Sequence, residues 1–284
     1  MTRDRLIVPP ALVHRFTAAH EREWVACLPE RVESVLRRWD LTPDGDPLHG
    51  WCALVLPVRT AAGAPAMTKI TWPHPEAEHE GLALSTWDGD GAVLLLAEEP
   101  FTLLLERLDP HHSLADEPID VAVAEVARLI RRLDRPAPPP LRRLPDEAAR
   151  ISRELRGGAA PPELLAQARA YCAELGPRAA DRLVNEDLHY DNVLRAEREP
   201  WLVIDPKPLA GDPEFGLVPL LWNRAGEGDP AGRLAEIVEA TGLDHGLARR
   251  WAFVRAVAEW PGPDELDSED PAIATAPAIA GALA

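Results

Sequence analysis

Apolar residues early in the chain recur at helical spacing: Trp24, Cys27 and Leu28, then Val32, Val35, Leu36 and Trp39. This predicts helix between Phe16 and Trp39, with Pro29 separating two helical pieces. The period then shortens. Trp51 to Val58 reads as a strand, Ala62-Gly63 as a turn and Ala66 to Thr71 as the returning strand of a hairpin. Pro73 and Pro75 open a helical stretch over Glu76 to Trp87, because a proline at a helix start gives up an N–H that has no intrahelical partner. Short apolar runs at Ala92 to Ala97 and Phe101 to Leu105 complete a mixed α/β part spanning residues 1–106.

After Glu106 the pattern is mainly helical over residues 107–284. Ile119 to Leu133 and Pro145 to Leu155 carry helical periodicity on either side of Pro136-Ala137-Pro138-Pro139-Pro140, a stiff extended linker. Pro161 to Leu175 is helical again after Gly157-Gly158. Two strands, Val193 to Arg195 and Trp201 to Ile204, flank a polar turn at Glu197, Arg198 and Glu199. From Pro261 an acidic run leads to a small-residue end without clear periodicity, and this segment is expected to be mobile or peripheral.

Composition narrows the function classes. At 284 residues, 46% hydrophobic and 27% charged, the chain can bury a substantial core. Its net charge of −17 repels DNA, RNA and anionic lipid; a small cationic substrate fits that field, although an acidic surface more often serves solubility alone. Cys27, Cys52 and Cys172 have no C-x-x-C spacing, so neither a zinc site nor a disulfide framework is expected, and a cytoplasmic location follows. The first residues lead into Pro9-Pro10 and not into a long apolar stretch, so neither a signal peptide nor a membrane anchor is expected.

Candidate chemistry concentrates in Leu183-Val184-Asn185-Glu186-Asp187-Leu188-His189-Tyr190-Asp191-Asn192-Val193-Leu194, followed after the expected hairpin by Ile204-Asp205-Pro206-Lys207-Pro208. Asp187 offers a proton acceptor, while Asn192 and Asp205 offer oxygen donors to a hard cation. Mg²⁺ takes one or two carboxylates and fills its remaining positions with water and phosphate. Asp and Asn also shape turns unaided, so one such residue carries nothing; the spaced set carries the reading. The chain contains two lysines, Lys69 and Lys207, in a basic complement of 30. Lys69 falls on the second hairpin strand, where an ammonium can reach phosphate oxygens, and Glu80 falls on the following helix, where a carboxylate can hold it. Glu76, Glu78 and Glu80 could equally form a solvated face.

The order of these segments resembles the aminoglycoside phosphotransferase superfamily, and within it the streptomycin 6-phosphotransferase and hydroxyurea phosphotransferase branch. Ala66-Met67-Thr68-Lys69 is similar to the family's strand lysine, His79-Glu80-Gly81-Leu82-Ala83-Leu84 to its partner helix, and Leu103-Leu104-Leu105-Glu106-Arg107-Leu108 to its interlobe connection. Asp187-Leu188-His189 with Asn192 resembles the catalytic loop. Ile204-Asp205-Pro206-Lys207-Pro208, with Gly211-Asp212-Pro213, resembles the metal-binding segment. The resemblance implies a bilobal, protein-kinase-like α+β fold with a nucleotide-binding first lobe and a catalytic, substrate-binding second lobe.

It further implies ATP and Mg²⁺ as cofactors, Asp187 as catalytic base or orienting carboxylate, and Asn192 and Asp205 as metal ligands. Lys69 and Glu80 would position the ATP phosphates, the loop around Gly50 would cover them, and adenine would lie by the connection containing Glu106 and Leu108. Substrate contacts are expected from His189, Asp212 and Glu214. Lys207 is left between a phosphate contact and a nearby acid. Three departures stand out: the family usually has His where Asn185 stands and Gly where Glu186 stands, and often has Asp at Gly216. A different contact should therefore hold the catalytic loop.

The implied activity is transfer of the γ-phosphoryl of ATP to a hydroxyl of an aminoglycoside, an amino sugar or a compound such as hydroxyurea, with antibiotic resistance as one setting. Asn185 and Glu186 keep open a nucleotide-binding pseudokinase or regulatory module. Asp187, His189, Asp191 and Asp205 keep open a metal-dependent hydrolase.

Overall fold

A computed structural model describes residues 7–284, which divide into two compact units. One comprises the described residues to Gly89 together with Val93–Leu108; the other comprises Asp90–Ala92 and Asp109–Ala284.

The first unit starts with two helices, α1 (Pro10–Arg15) and α2 (Ala19–Arg38). Pro29 does not split α2 but sits inside it, against the sequence expectation. An interior proline removes one backbone hydrogen bond and costs about 3 kcal/mol. Burial of Trp24, Val25, Leu28, Val32 and Val35 along one side of the helix offsets that cost. These side chains share one core with Leu54, Leu56, Val58, Ala66, Ile70 and Leu104 from the sheet. At the start of α2 the Glu21 carboxylate accepts from the N–H groups of Thr17 and Ala18, at 2.9 and 2.8 Å.

The sheet of this unit contains β1 (Thr42–Pro43), β2 (Leu48–His49), β3 (Ala53–Arg59), β4 (Pro65–Thr71), β5 (Leu95–Glu99) and β6 (Thr102–Glu106), with α3 (Glu80–Trp87) between β4 and β5. Its order is β1-β3-β4-β6-β5, β2 adds to β3, and every pairing is antiparallel. The β3–β4 hairpin agrees with the two strands and the Ala62-Gly63 turn expected from the sequence. The helix is shorter than Glu76 to Trp87: residues 75–79 form turns, and α3 begins at Glu80.

The second unit runs through β7 (Asp109–Ser113), α4 (Ile119–Leu133), α5 (Leu144–Glu154), α6 (Pro162–Leu175), β8 (Arg182–Asn185), β9 (Val193–Arg195), β10 (Trp201–Val203) and β11 (Pro208–Gly211). It ends with α7 (Pro219–Trp222), α8 (Pro230–Thr241), α9 (His245–Ala258) and α10 (Pro271–Leu283). The strands β10-β9-β7 form one small sheet and β11-β8 another. Burial of Ala122, Val123, Val126, Ala127, Leu129 and Leu133 fixes the inward side of α4, as its periodicity predicts.

The C-terminal segment differs from its expectation. Residues 271–283 form α10, which packs on α9 and buries Ala276, Ile279, Ala280 and Leu283. Asp270 caps it, accepting from Ala272 N–H at 2.9 Å, with Pro271 at the first position. Small residues on most sides of this helix leave little amphipathic contrast, so the period is faint in sequence although the packing is close. Among the described residues no helix is long and apolar enough to cross a membrane.

Candidate active site

Lys69 occupies the central strand β4, opposite Val55 of β3 and Leu103 of β6. Its ammonium lies 2.7 Å from both carboxylate oxygens of Glu80, in the first turn of α3. The two residues are 6% and 3% exposed, so neither charge is left to water. Burying such a pair costs several kcal/mol per ion, and two-oxygen contact is the geometry that returns it. Of the three glutamates at 76, 78 and 80, Glu80 alone is buried; Glu78 is exposed and Glu76 half-buried.

The Gly50 segment closes the β2–β3 hairpin. Gly50 N–H donates to Ala53 C=O at 3.0 Å, and Arg15 donates to the Trp51 carbonyl at 2.8 Å while its guanidinium stacks 3.8 Å over the Trp51 ring. A methyl group at Gly50 would meet no protein atom within 4 Å, so packing alone does not demand glycine there. Glu106 ends β6, and its carboxylate accepts from Leu94 N–H at 2.9 Å; Leu108 is buried.

In the second unit the β8–β11 pairing, absent from the sequence expectation, sets Asn185 opposite Pro208. It brings the catalytic-loop and Asp205 segments side by side. Asn185 Oδ1 accepts from both Asp187 N–H (3.0 Å) and Lys207 N–H (3.1 Å), and Glu186 N–H donates to Lys207 C=O at 3.0 Å. An amide oxygen thus fastens a loop where the resembled family has imidazole, which is the different contact expected from the departure at this position. The Glu186 carboxylate, also buried, pairs with Arg142, and its carbonyl accepts from Arg255 at 2.8 Å. Gly216 passes so close that a Cβ there would stand 2.5 Å from the Asn185 carbonyl oxygen.

Lys207 Nζ stands 3.0 Å from Asp187 Oδ2, the nearby acid among its expected partners. Asn192 Nδ2 donates to Asp187 C=O at 3.1 Å, which turns the Asn192 amide oxygen the other way. Asn192 C=O accepts from Ile204 N–H at 2.9 Å, so Asp205 begins one residue beyond that bond. Asp205 has φ of 51°, a left-handed conformation that Asp tolerates better than most residues and that recurs at functional sites.

Tyr190 is fully buried and burial pushes its phenol up to about 12, which fits an anchor and not a proton carrier. His189 Nδ1 is 3.5 Å from Asp191 Oδ2. That imidazole, followed by the Asn223 amide at 2.7 Å, holds the Asp191 carboxyl below its ordinary range.

Asp212 and Glu214 are both buried and engaged elsewhere. Asp212 accepts from Trp251 Nε1 (2.8 Å) and Ala180 N–H (2.7 Å), and Glu214 accepts from Asp244 N–H at 3.0 Å. Both meet the protein's own donors. Arg15, Arg142 and Arg255 went unnoticed in sequence. The need for Arg142 follows only once the fold shows Glu186 buried, because a buried glutamate requires a cation. The hydrolase reading needs clustered ligands, yet among the described residues no three His, Cys, Asp or Glu side chains gather as a metal site.

The fold is that of the protein-kinase-like phosphotransferases. LicA, a choline kinase from Streptococcus pneumoniae, matches in its AMP complex with a TM-score of 0.61 at 14% identity, covering 89% of this chain and 96% of that one. Within that class the chain belongs to a family described as Aminoglycoside/hydroxyurea antibiotic resistance kinase, matched over residues 38–260. It is 42% identical over 265 residues to hydroxyurea phosphotransferase from Kitasatospora aureofaciens, covering 88% of this chain and 78% of that protein. It is 39% identical over 299 residues to streptomycin 6-kinase from Streptomyces glaucescens, covering 97% of each. Family membership makes the chain an ATP-dependent kinase of small-molecule hydroxyl groups, and nothing supports the pseudokinase reading.

Proposed function

We propose that this chain phosphorylates a hydroxyl of an aminoglycoside, with streptomycin as the first candidate and hydroxyurea as the second. Near-complete coverage of a streptomycin 6-kinase supports the first, and the net charge of −17 suits a cationic acceptor. The single observation that carries the mechanism is the Asp187 carboxylate, held between the Asn185-fastened backbone and the Lys207 ammonium.

Asp187 orients the acceptor hydroxyl and takes its proton as the hydroxyl oxygen bonds to the γ-phosphorus and the bond to the ADP oxygen breaks. Lys207 fixes the direction of that carboxylate and balances its charge. Lys69, kept in place by Glu80, holds ATP phosphate oxygens, and the loop around Gly50 covers them. Glu106 supports the connection beside adenine, where Leu108 packs. Asn192, through its amide oxygen, and Asp205 would hold Mg²⁺; one amide and one carboxylate fit a cation that keeps most positions for water and phosphate. The bound ion would neutralise developing charge on the phosphates. His189 borders the acceptor, whereas Asp212 and Glu214 brace the surrounding backbone.

The test is ADP release by the purified protein with ATP and Mg²⁺ against streptomycin, other aminoglycosides, hydroxyurea and glucosamine, with the product located by phosphorus NMR. Streptomycin-dependent release with phosphate on one ring hydroxyl is expected. Release with hydroxyurea alone would move the assignment to the second candidate, and release with none of the four would overturn both.

A further inference from the structure

The chain has three cysteines in three settings: Cys27 is exposed on α2, Cys172 is buried in α6, and Cys52 is half-buried at the edge of β3. Cys52 alone of the three has an imidazole beside it, with its Sγ 3.3 Å from His74 Nε2. The pair is held by the fold. Cys52 C=O accepts from Trp72 N–H at 2.8 Å, which ties the cysteine to the segment leading to His74, and Arg15 grips the preceding carbonyl of Trp51. Trp72 in turn packs against Phe16, His20 and Trp24. Nothing in the phosphoryl-transfer chemistry uses this thiol or this imidazole.

We propose that Cys52 and His74 form a thiol-modification site that exchanges with low-molecular-weight disulfides and thereby blocks the Gly50 loop. The Cys52 thiol gives its proton to His74 Nε2, and the resulting thiolate attacks one sulfur of the incoming disulfide. The old S–S bond breaks, a new one joins Cys52 to that half, and the other half leaves as a thiolate that takes up a proton. The external disulfide is the oxidant, and a free thiol reverses the exchange. Cys172 stays inert, because burial pushes its thiol up to about 11 and keeps reagents away. Cys27 is open to solvent, so exposure by itself favours it over Cys52, and the comparison isolates the imidazole. The effect on activity rests on the proposed role of the Gly50 loop; the reactivity does not.

The full-length protein is treated with oxidised glutathione, and peptide mass spectrometry follows each cysteine with time. Cys52 is expected to be modified about tenfold faster than the more exposed Cys27, and His74→Gln to remove that advantage. Cys27 reacting as fast or faster in the wild-type protein overturns the proposal without reliance on any variant. ATP affinity is then measured before and after modification. Loss of affinity restored by dithiothreitol supports the blocked loop. Unchanged affinity on fully modified Cys52 overturns the block and the Gly50 assignment, and leaves the reactive thiol standing.

Discussion

The ammonium of Lys207 meets the carboxylate of Asp187 at 3.0 Å, across a loop whose two arms share one acceptor in Asn185. The two charged groups therefore sit on backbone that is itself fixed, so the placement of the Asp187 carboxylate depends on the neutral side chain of Asn185. Asp187→Asn keeps shape and removes the carboxylate proposed as the base. Its kcat should fall by about 10²- to 10⁴-fold, with ATP affinity by calorimetry within about twofold. Wild-type turnover in this variant would remove Asp187 from the chemistry.

Asn185→Ala leaves two backbone N–H groups without their acceptor, at a cost of about 1–3 kcal/mol for each that stays buried. A lower urea midpoint and a reduced kcat are expected together. Asn185→Asp retains an oxygen at the same place and should recover most of both.

Asp212 separates bracing from recognition. Asp212→Ala strands the buried Trp251 indole N–H and the Ala180 N–H, so stability should fall by about 3 kcal/mol. KM for the acceptor should hold in the fraction that stays folded. A raised KM at unchanged melting temperature would instead return Asp212 to the substrate side.

Burial raises the Glu214 carboxyl above its ordinary value of 4.5. The unfolded chain then releases this proton at lower pH than the folded one, so stability drains away as pH climbs from about 4.5 through the folded value. Glu214→Gln has no proton to release and keeps an oxygen for the Asp244 N–H. It should match or exceed the wild-type melting temperature at neutral pH and lose that advantage below about pH 4.5. A deficit at neutral pH would show that the charge itself is needed.

Helix α4 and strands β9 and β3–β4 were legible because period and burial coincide along each of them. The Lys69–Glu80 pairing was legible for another reason: a rare lysine falls on a strand before a helix rich in glutamate, and the resemblance singled out Glu80 from Glu76 and Glu78. The β8–β11 pair was hidden. β11 begins at Pro208 and ends at Gly211, both weak strand residues, and its partner lies more than twenty positions earlier in the chain. Pro29 misled for the complementary reason, since a local breaker was outweighed by long-range packing that no window of sequence contains. Asp212 and Glu214 carry the residue types of a recognition site, and the internal donors they meet are visible only in the fold.

The missing side chain at Gly216 has a practical consequence for building chimaeras with relatives. A Cβ there would press 2.5 Å against the Asn185 oxygen, so any graft importing a larger residue at this point must reposition the tail of β8 as well. The two stretches should be exchanged as one cassette. A hybrid that inherits them from different parents would shift the anchor on which the Asp187 carboxylate is mounted.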